Sequence, residues 1–441
     1  MVDPVILAGA EIGAPDTGDT AWMLTSAALV LLMTPGLAFF YGGMVRSKNV
    51  LNMIMMSISA MGIVTVLWVL YGYSAAFGTD KGSLLGDPAE YFGLRTLMSG
   101  FGEESAGVPL VGTVPATVFV AFQLMFAIIT VALISGAVAD RMKFGAWILF
   151  AAVWVTVVYF PVAHWVWGGG WIMEKVKAID FAGGTAVHIN SGAAALALAI
   201  ILGKRKGWPQ TPFRPHNLPF VMLGAGLLWF GWFGFNAGSA VGANGVAGVT
   251  FVTTVVATAA AMLAWLLVEK IRDGKPTSLG AASGIVAGLV AITPACASVN
   301  IVGALVVGAV AGAICALAVS LKFKFGYDDS LDVVGIHLVG GVIGTVLVGF
   351  VGTADAPTAV DGLFYGGGVD QLWRQIVGAV AVLAYSFVVA AVIAFAIKAT
   401  IGLRADAEAE SAGMDESEHA ETAYDFAAVG GTTRTTAVKE A

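Results

Sequence analysis

Two histidines lie deep inside apolar segments of the sequence, where their side chains are the groups best suited to proton chemistry. His188 comes eight residues after Asp180 in DFAGGTAVH, and His337 comes five residues after Asp332 in DVVGIH. An imidazole exchanges protons near neutral pH, and two facing imidazoles can share one hydrogen bond that fixes both tautomers. The remaining ring nitrogens are then left for a guest molecule. We therefore interpret the pair as the polar lining of a pore.

Two other interpretations of the histidine pair stay open at this stage. One is a satisfied hydrogen bond between two helices with no further role. The other is axial ligation of a single haem, which no other feature of the sequence favours. Cys296 and Cys315 lie 19 residues apart in or near apolar segments and have no metal-site spacing. The sequence therefore predicts neither a cofactor nor a metal site.

The two acids that precede the histidine segments have a simpler predicted role. Asp180 and Asp332 each come just before an apolar helical segment. A carboxylate at that position accepts hydrogen bonds from the unpaired N–H groups of the first helical turn. We predict that both acids are helix N-caps, with direct binding of a cation as the alternative.

Aromatic side chains form the next group of candidates. The segment HWVWGGGW ends one apolar run, and WFGFNAGSA ends another on the same side of the predicted membrane. A lone tryptophan there is commonly an interfacial anchor. Several aromatic faces with one hydroxyl can instead hold a small cation by cation–π attraction, without a carboxylate. Such a site binds weakly, which suits passage of the cation.

The composition shows what kind of chain positions these residues. The 441 residues are 58% hydrophobic and 12% charged, with a net charge of −7. Soluble proteins carry about 25% charged residues, so this chain cannot cover the surface of a soluble body of its size. The 57 glycines are typical of transmembrane helices that pack closely. The sequence predicts an all-α polytopic membrane protein and offers no basic surface for nucleic acid.

Hydrophobic runs of about 20 residues predict the membrane-spanning helices. We count eleven: 21–43, 50–77, 114–139, 144–166, 182–203, 217–240, 245–270, 279–297, 301–321, 332–352 and 373–400. An N-terminus outside the cell places 17 of the 22 Lys and Arg residues on the inner side. Because cytoplasmic loops are enriched in these residues, we predict an external N-terminus and a cytoplasmic C-terminus.

The order of the runs predicts two domains of unequal size. Helices one to five and six to ten form two groups of five, with a long eleventh helix after them, and an odd-numbered repeat must insert its second copy inverted. Residues 1–403 are the predicted membrane domain. Residues 404–441 include eight acids between Asp406 and Asp425, and are predicted to be a mobile, regulatory cytoplasmic tail.

Several long motifs, in this order along the chain, resemble one family: the ammonium transporters of the Amt/Mep/Rh superfamily. They are FYGGMVRSKN, FQLMFAIIT, WGGG, DFAGGTAVHIN, WFGFNAGSA, DDSLDVVGIH and GMDESEHAETAYDF, and they extend from the first helix to about Tyr424. The resemblance implies that ammonium is recruited at an outer site corresponding to Trp167, Phe126 and Ser239. It also implies that Phe126 and Phe235 are stacked phenyl rings that close the pore below that site.

The resemblance gives the polar pore residues a role as well. His188 and His337 correspond to a twin-histidine pair in a hydrophobic pore, and Asp180 to an acid with a mainly structural role. Because Trp167 and Ser239 are both present, the Amt branch is indicated rather than the Rh branch. The implied assembly is a homotrimer in the cell membrane, regulated by a P-II signalling protein at the cytoplasmic face.

The sequence therefore predicts an ammonium transporter and not an enzyme, since it contains no nucleophile–base constellation. Ammonium would bind outside, lose its proton, and cross as ammonia past the histidines, and the proton would cross separately or not at all. The main alternative is an ammonium sensor that signals through its cytoplasmic tail with little net flux. A general cation channel is disfavoured because the sequence has no carbonyl-lined filter segment.

Overall fold

The computed structural model of the chain describes residues 11–98 and 107–424, and these are dominated by long apolar helices. Within these ranges, ten helices are long and apolar enough to span a membrane, and an eleventh apolar helix is shorter. In chain order they are α1 Thr17–Met44, α2 Ser47–Phe77, α3 Ala116–Val138, α4 Phe144–Val176, α5 Gly184–Leu202, α6 Leu218–Gly238, α7 Gly245–Asp273, α8 Ser278–Ile292, α9 Ile301–Phe325, α10 Val334–Val351 and α11 Asp370–Thr400. The all-helical membrane fold is confirmed.

The helix formed by the eighth predicted hydrophobic run is shorter than expected. Residues 279–297 were expected to form one span, but α8 ends at Ile292 after 15 residues. At 1.5 Å per residue that helix is roughly 22 Å long, less than a hydrocarbon core of about 30 Å. Pro294 follows two residues later and packs against Gly184 at the start of α5. Eleven membrane crossings and the inverted repeat therefore stay predictions.

The described part of the chain also has five very short strands, at the end of the molecule where α1 begins. They are β1 Glu11–Gly13, β2 Asp80–Lys81, β3 Leu85–Gly86, β4 Val108–Val111 and β5 Val114–Pro115. β1, β4 and β5 form an antiparallel sheet, and β2 pairs with β3. We call this the strand end of the molecule, and the opposite end, where the C-terminal residues pack, the tail end.

Glycines explain how closely the helices approach one another. A methyl group added at Gly224 of α6 would lie 2.7 Å from the carbonyl oxygen of Gly36 in α1. One added at Gly312 of α9 would lie 2.7 Å from the Cα atom of Ala261 in α7. Real Cβ atoms do not come so close to backbone, so only glycine permits these contacts. The glycine excess thus reflects backbone-to-backbone packing, as small residues commonly provide in membranes.

The acidic tail is packed and not mobile as far as residue 424. It forms two short helices, α12 Ala407–Ala412 and α13 Met414–His419. Met414 is fully buried, and Glu410 and Asp415 are at least 97% buried. The prediction of a mobile tail is wrong for these residues. The rest of that prediction, residues 425–441, falls outside the described residues.

Carboxylates bind the tail to the ends of two membrane helices. Asp415 accepts hydrogen bonds from the backbone N–H groups of Leu51 and Asn52, at 3.1 and 2.8 Å. Glu418 accepts one from the N–H of Phe144, at 3.0 Å. These N–H groups lie in the first α-helical turn of α2, whose α-helical part begins at Val50, and in the first turn of α4. The N–H groups of a first turn have no intrahelical partners. The tail therefore satisfies the ends of two membrane helices.

A buried ion-pair cluster fixes the loops beneath the tail. Arg205 contacts Asp328 at 2.9 Å and Asp140 at 3.4 Å, and Arg46 contacts Asp140 at 3.2 Å. Although burial alone would raise the pKa of the Asp328 carboxyl, the hydrogen bonds and charge of Arg205 hold it below its usual value. Asp328 therefore stays ionised, and the cluster joins the ends of several helices at the tail end.

Candidate functional site

The two predicted histidines meet inside the helix bundle. The Nδ1 atoms of His188 and His337 are 3.3 Å apart, and both side chains are at least 98% buried. Because one Nδ1 must donate and the other must accept, the contact gives the two rings different tautomers. The Nε2 atom of His188 is buried and has no partner among the described residues. The pair therefore offers an unused ring nitrogen to a guest, as the sequence suggested.

Each histidine occupies a π-helical turn at the start of its helix. His188 lies in the turn Gly184–Ile189 and His337 in the turn Val334–Leu338. Such turns widen the helix and occur frequently at functional sites. A π-helical turn at the same place in both halves is what an inverted repeat would produce. The sequence did not indicate these turns.

Two glycines bring the histidine helices together. Gly192 and Gly341 each come four residues after a histidine. A methyl group at Gly192 would lie 2.6 Å from the backbone nitrogen of Leu338, and one at Gly341 would lie 3.1 Å from the Cβ atom of His188. Each helix thus places a glycine against the histidine turn of the other, which permits the close contact of the two rings.

A narrow apolar lumen surrounds the imidazoles. Its lining is His188, His337, Met33, Leu37, Ile129, Leu133, Leu228, Trp232, Phe235 and Val286. The cavity volume there is about 10 Å³, close to the minimum that a single water molecule requires. Apart from the ring nitrogens of Trp232 and the histidines, no lining side chain has a strong hydrogen-bonding group. A hydrated ion does not fit this lumen.

Two phenyl rings close the lumen toward the strand end. The rings of Phe126 and Phe235 are stacked with centroids 4.2 Å apart and an angle of 30° between their planes. The ring of His188 lies 6.1 Å from that of Phe235, also roughly parallel to it. The structure thus brings the predicted gate residues together next to the histidine pair.

A wider vestibule of about 150 Å³ lies beyond the phenyl rings. Trp167, Phe126 and Ser239 all line it, and the Trp167 and Phe126 rings are 5.9 Å apart at 86°. The Ser239 hydroxyl donates to the carbonyl oxygen of Phe235 at 2.8 Å. Its oxygen therefore faces the vestibule only as an acceptor, which is what a cation with N–H groups needs.

Asp180 anchors the helix that carries His188. Its carboxylate accepts hydrogen bonds from the backbone N–H groups of Gly183, Gly184, Thr185 and Ala186, at 2.7, 2.6, 2.8 and 3.1 Å, and also one from the Thr185 hydroxyl. Asp180 thus caps the N–H groups of the first turn from three residues before the N-cap position, which Gly183 occupies. Five donors occupy both carboxylate oxygens, so this geometry favours capping over cation binding.

The capping role predicted for Asp332 is wrong. Its backbone has a φ of 64°, in the left-handed region, and its carboxylate pairs with the Lys322 ammonium at 2.6 Å. Asp329 accepts the hydrogen bond from the N–H of Val334 instead, at 2.7 Å. Asp329 precedes His337 by eight residues, the same spacing that separates Asp180 from His188. That repeated spacing was the overlooked signal.

Comparison with known proteins identifies the family. Residues 21–424 match the model of the Ammonium Transporter Family. An ammonium transporter of Mycobacterium tuberculosis is 68% identical, over 95% of this chain and 93% of that relative. The crystal structure of Saccharomyces cerevisiae Mep2 superposes with a TM-score of 0.80 at 36% identity, covering 89% of this chain and 88% of the other.

A further solved structure, named Sensor Amt Protein, superposes with a TM-score of 0.83 at 28% identity, covering 91% of this chain and 98% of the other. The match is therefore close in sequence and fold over nearly the whole chain. The chain is a multi-pass membrane protein that belongs to the ammonium transporter family.

Proposed function

We propose that this protein carries ammonium inward by separating ammonia from its proton, with the strand end outside the cell and the tail end in the cytoplasm. The observation that supports this most is the order of the sites: vestibule, phenyl rings, then histidine-lined lumen. The basic residues of the loops support the orientation. The vestibule suits the binding of a cation, and the apolar lumen beyond the phenyl rings suits the passage of a neutral molecule.

Recruitment begins in the vestibule. Cation–π attraction from the Trp167 and Phe126 rings and the acceptor oxygen of Ser239 hold ammonium there. The carboxylate of Asp180 adds little direct contact, because its oxygens are occupied by backbone donors. Binding without a dedicated anion is weak, and weak binding lets the substrate move on.

Deprotonation follows because the lumen cannot take the ion. Moving a bare cation into an apolar space costs many kcal/mol, and the lumen of about 10 Å³ admits no hydration shell. Ammonia, which is neutral, crosses along the imidazoles. Its proton enters at the free Nε2 of His188, while the shared Nδ1 contact passes a proton on to His337.

Uptake into proteoliposomes tests the transport function. We expect labelled methylammonium to accumulate with saturation, and ammonium to compete with it. Ser239→Ala should raise the half-saturating concentration roughly fivefold, because a hydrogen bond to a charged group contributes about 1.5–3 kcal/mol and water replaces part of it. Uptake no greater than in protein-free vesicles would contradict transport.

The resemblance also supports a homotrimer with one pore in each subunit, inserted in the plasma membrane, and a P-II signalling protein as a cytoplasmic partner. A second candidate function is sensing. It is favoured by the tail, whose residues bind the first turns of α2 and α4 and so couple the tail to the membrane helices. A pure sensor would show the same tail contacts with no methylammonium uptake.

Asp415 provides a test of the regulatory tail. Burial raises the pKa of its carboxyl above the usual value, and the N–H groups of Asn52 and Leu51 offset part of that rise. Asp415→Ala removes both bonds, and an N-cap contributes ~1 kcal/mol. We expect amide hydrogen exchange across α12 and α13 to become roughly fivefold faster, and the uptake rate to change with it.

Glu408→Ala is the matched control for Asp415, because Glu408 is an exposed acid of the same tail. It should leave both the exchange and the uptake rate unchanged. Faster exchange in Asp415→Ala with an unaltered uptake rate would contradict a regulatory role of the tail.

A further inference from the structure

Gln123 lies in the wall of the vestibule with an unused hydrogen-bond acceptor. It is on α3, three residues before Phe126, and 91% of its surface is buried. Its side chain lines the same cavity as Trp167 and Ser239. The amide oxygen, Oε1, is shielded from solvent and has no hydrogen-bond partner among the described residues. Buried polar atoms of native proteins nearly always have a partner, so an orphaned one calls for an explanation.

The two polar neighbours in the vestibule wall cannot supply the missing donor. The Ser239 hydroxyl already donates to the carbonyl oxygen of Phe235, and the Trp167 indole N–H donates to the carbonyl oxygen of Asp180 at 2.9 Å. The other lining residues are apolar: Phe77, Phe119, Phe122, Phe126, Val166, Met173, Phe181 and Val241. Since none of the described residues supplies this donor, the vestibule contents are the source that we consider for a partner of Oε1.

Gln375 shows how the same side chain behaves in a structural role. It is fully buried on α11. Its amide oxygen accepts from the N–H of Ile179 at 2.6 Å, and its amide nitrogen donates to the carbonyl oxygens of Ile179 and Thr345 at 2.8 and 3.0 Å. A glutamine kept for stability thus has its amide oxygen satisfied, unlike that of Gln123.

We infer that the Gln123 amide oxygen is a second hydrogen-bond acceptor for ammonium in the vestibule, beside the Ser239 hydroxyl oxygen. This inference rests on the proposed recruitment of ammonium there. Ammonium carries four N–H donors and no acceptor, so it can donate to the Ser239 hydroxyl oxygen and to Oε1 of Gln123 at the same time. A neutral amide holds the ion by dipole and hydrogen bond, without the fixed charge that would retain it in front of the phenyl rings.

Gln123→Met tests the inference, because methionine has a similar length and no acceptor of comparable strength. We expect the concentration of ammonium that half-inhibits labelled methylammonium uptake into proteoliposomes to rise about tenfold, the factor that corresponds to 1.4 kcal/mol. The maximal rate should change much less than this concentration. The melting temperature of the purified variant should not fall, since removing an orphaned buried oxygen costs no hydrogen bond.

Gln375→Met is the matched control, with the same substitution at a satisfied glutamine. It should lower the melting temperature, because the N–H of Ile179 and the carbonyl oxygen of Thr345 lose their partner. Gln123→Glu gives the opposite affinity change: a fixed charge should lower the half-inhibiting concentration of ammonium and slow the maximal rate.

The outcomes separate this inference from the function on which it rests. If Ser239→Ala weakens ammonium binding and Gln123→Met does not, the role of Gln123 is overturned and recruitment in the vestibule stands. If neither variant changes the half-inhibiting concentration, the vestibule itself is not the recruitment site. A lower melting temperature of Gln123→Met with unchanged ammonium affinity would make Gln123 structural and overturn the inference.

Discussion

His337→Asp is expected to let potassium through a pore that otherwise excludes it. In the native lumen a bare cation is surrounded by apolar side chains and two imidazoles, which offset little of its dehydration free energy. A carboxylate at this depth supplies a fixed negative charge, and its smaller side chain leaves room for water. We expect the preference for ammonium over potassium to fall at least about tenfold, which corresponds to 1.4 kcal/mol.

Potassium-driven and ammonium-driven currents in proteoliposomes measure this preference. His188→Asp should act in the same direction, because the two rings share one hydrogen bond in one lumen. His337→Asn is the matched control: it also shortens the side chain but adds no charge, so it should not admit potassium. An unchanged selectivity in both aspartate variants would contradict the placement of the histidines in the conducting path.

Asp180→Ala is expected to abolish transport and to destabilise the protein strongly. The substitution leaves four backbone N–H groups and one hydroxyl at the start of α5 without an acceptor, in a site that is 92% buried. Hydrogen bonds to charged groups contribute about 1.5–3 kcal/mol each, and buried donors without a partner are costly. We expect a loss of at least about 3 kcal/mol, and His188 moves with the turn that it occupies.

Melting temperature and methylammonium uptake, measured on the same preparation, test this prediction. Asp180→Asn keeps one acceptor oxygen and should be less damaged than the alanine variant. Asp16→Ala is the control, since Asp16 is an exposed N-cap of α1 that accepts from the N–H of Asp19 at 2.8 Å. It should cost about 1 kcal/mol and retain uptake. Native stability and native uptake in Asp180→Ala would refute the anchoring role.

Much of the membrane fold could be predicted from hydropathy alone, because a span of about 20 apolar residues leaves few alternatives. The exception is α8, where Pro294 follows the end of the helix and hydropathy continues beyond it. Hydropathy measures only whether residues prefer the membrane. It does not show where backbone geometry ends a helix.

The acids that precede the two histidine helices show why details of the site were harder to predict than the fold. The N-cap rule led to Asp180, which accepts from the first turn of α5, because that residue has no acidic neighbour in its segment. The segment DDSLDVVGIH contains three acids, and local propensity does not say which one turns toward the helix end. Tertiary contacts determine which acid caps the helix. Asp332 forms an ion pair with Lys322, and Asp329 accepts the hydrogen bond from the N–H of Val334.

The tail was mispredicted for a related reason. Its composition resembles that of segments that cannot bury enough apolar surface to fold. Its carboxylates are instead hydrogen-bond acceptors for helix ends elsewhere in the chain, and such partners are distant in sequence, as with Asp415 and Leu51. Composition cannot reveal a partner more than 360 residues away.

Gln123 is also invisible to sequence patterns, because a single glutamine in an apolar helix has no characteristic spacing. The role proposed for it rests on an unsatisfied oxygen in a cavity where the donors of Ser239 and Trp167 are already committed. By contrast, the histidines and the phenyl rings carried a signal in their motifs, and the structure brings them together as expected.

The number of charges moved for each substrate molecule tests the central claim most directly, namely that ammonia and its proton cross separately through the histidine-lined lumen. Labelled methylammonium uptake and electrical current should be recorded together in proteoliposomes of the native protein. The account predicts one elementary charge for each molecule taken up. Uptake at the native rate with no movement of charge would contradict it, and the lumen would then be a passive channel for the neutral amine.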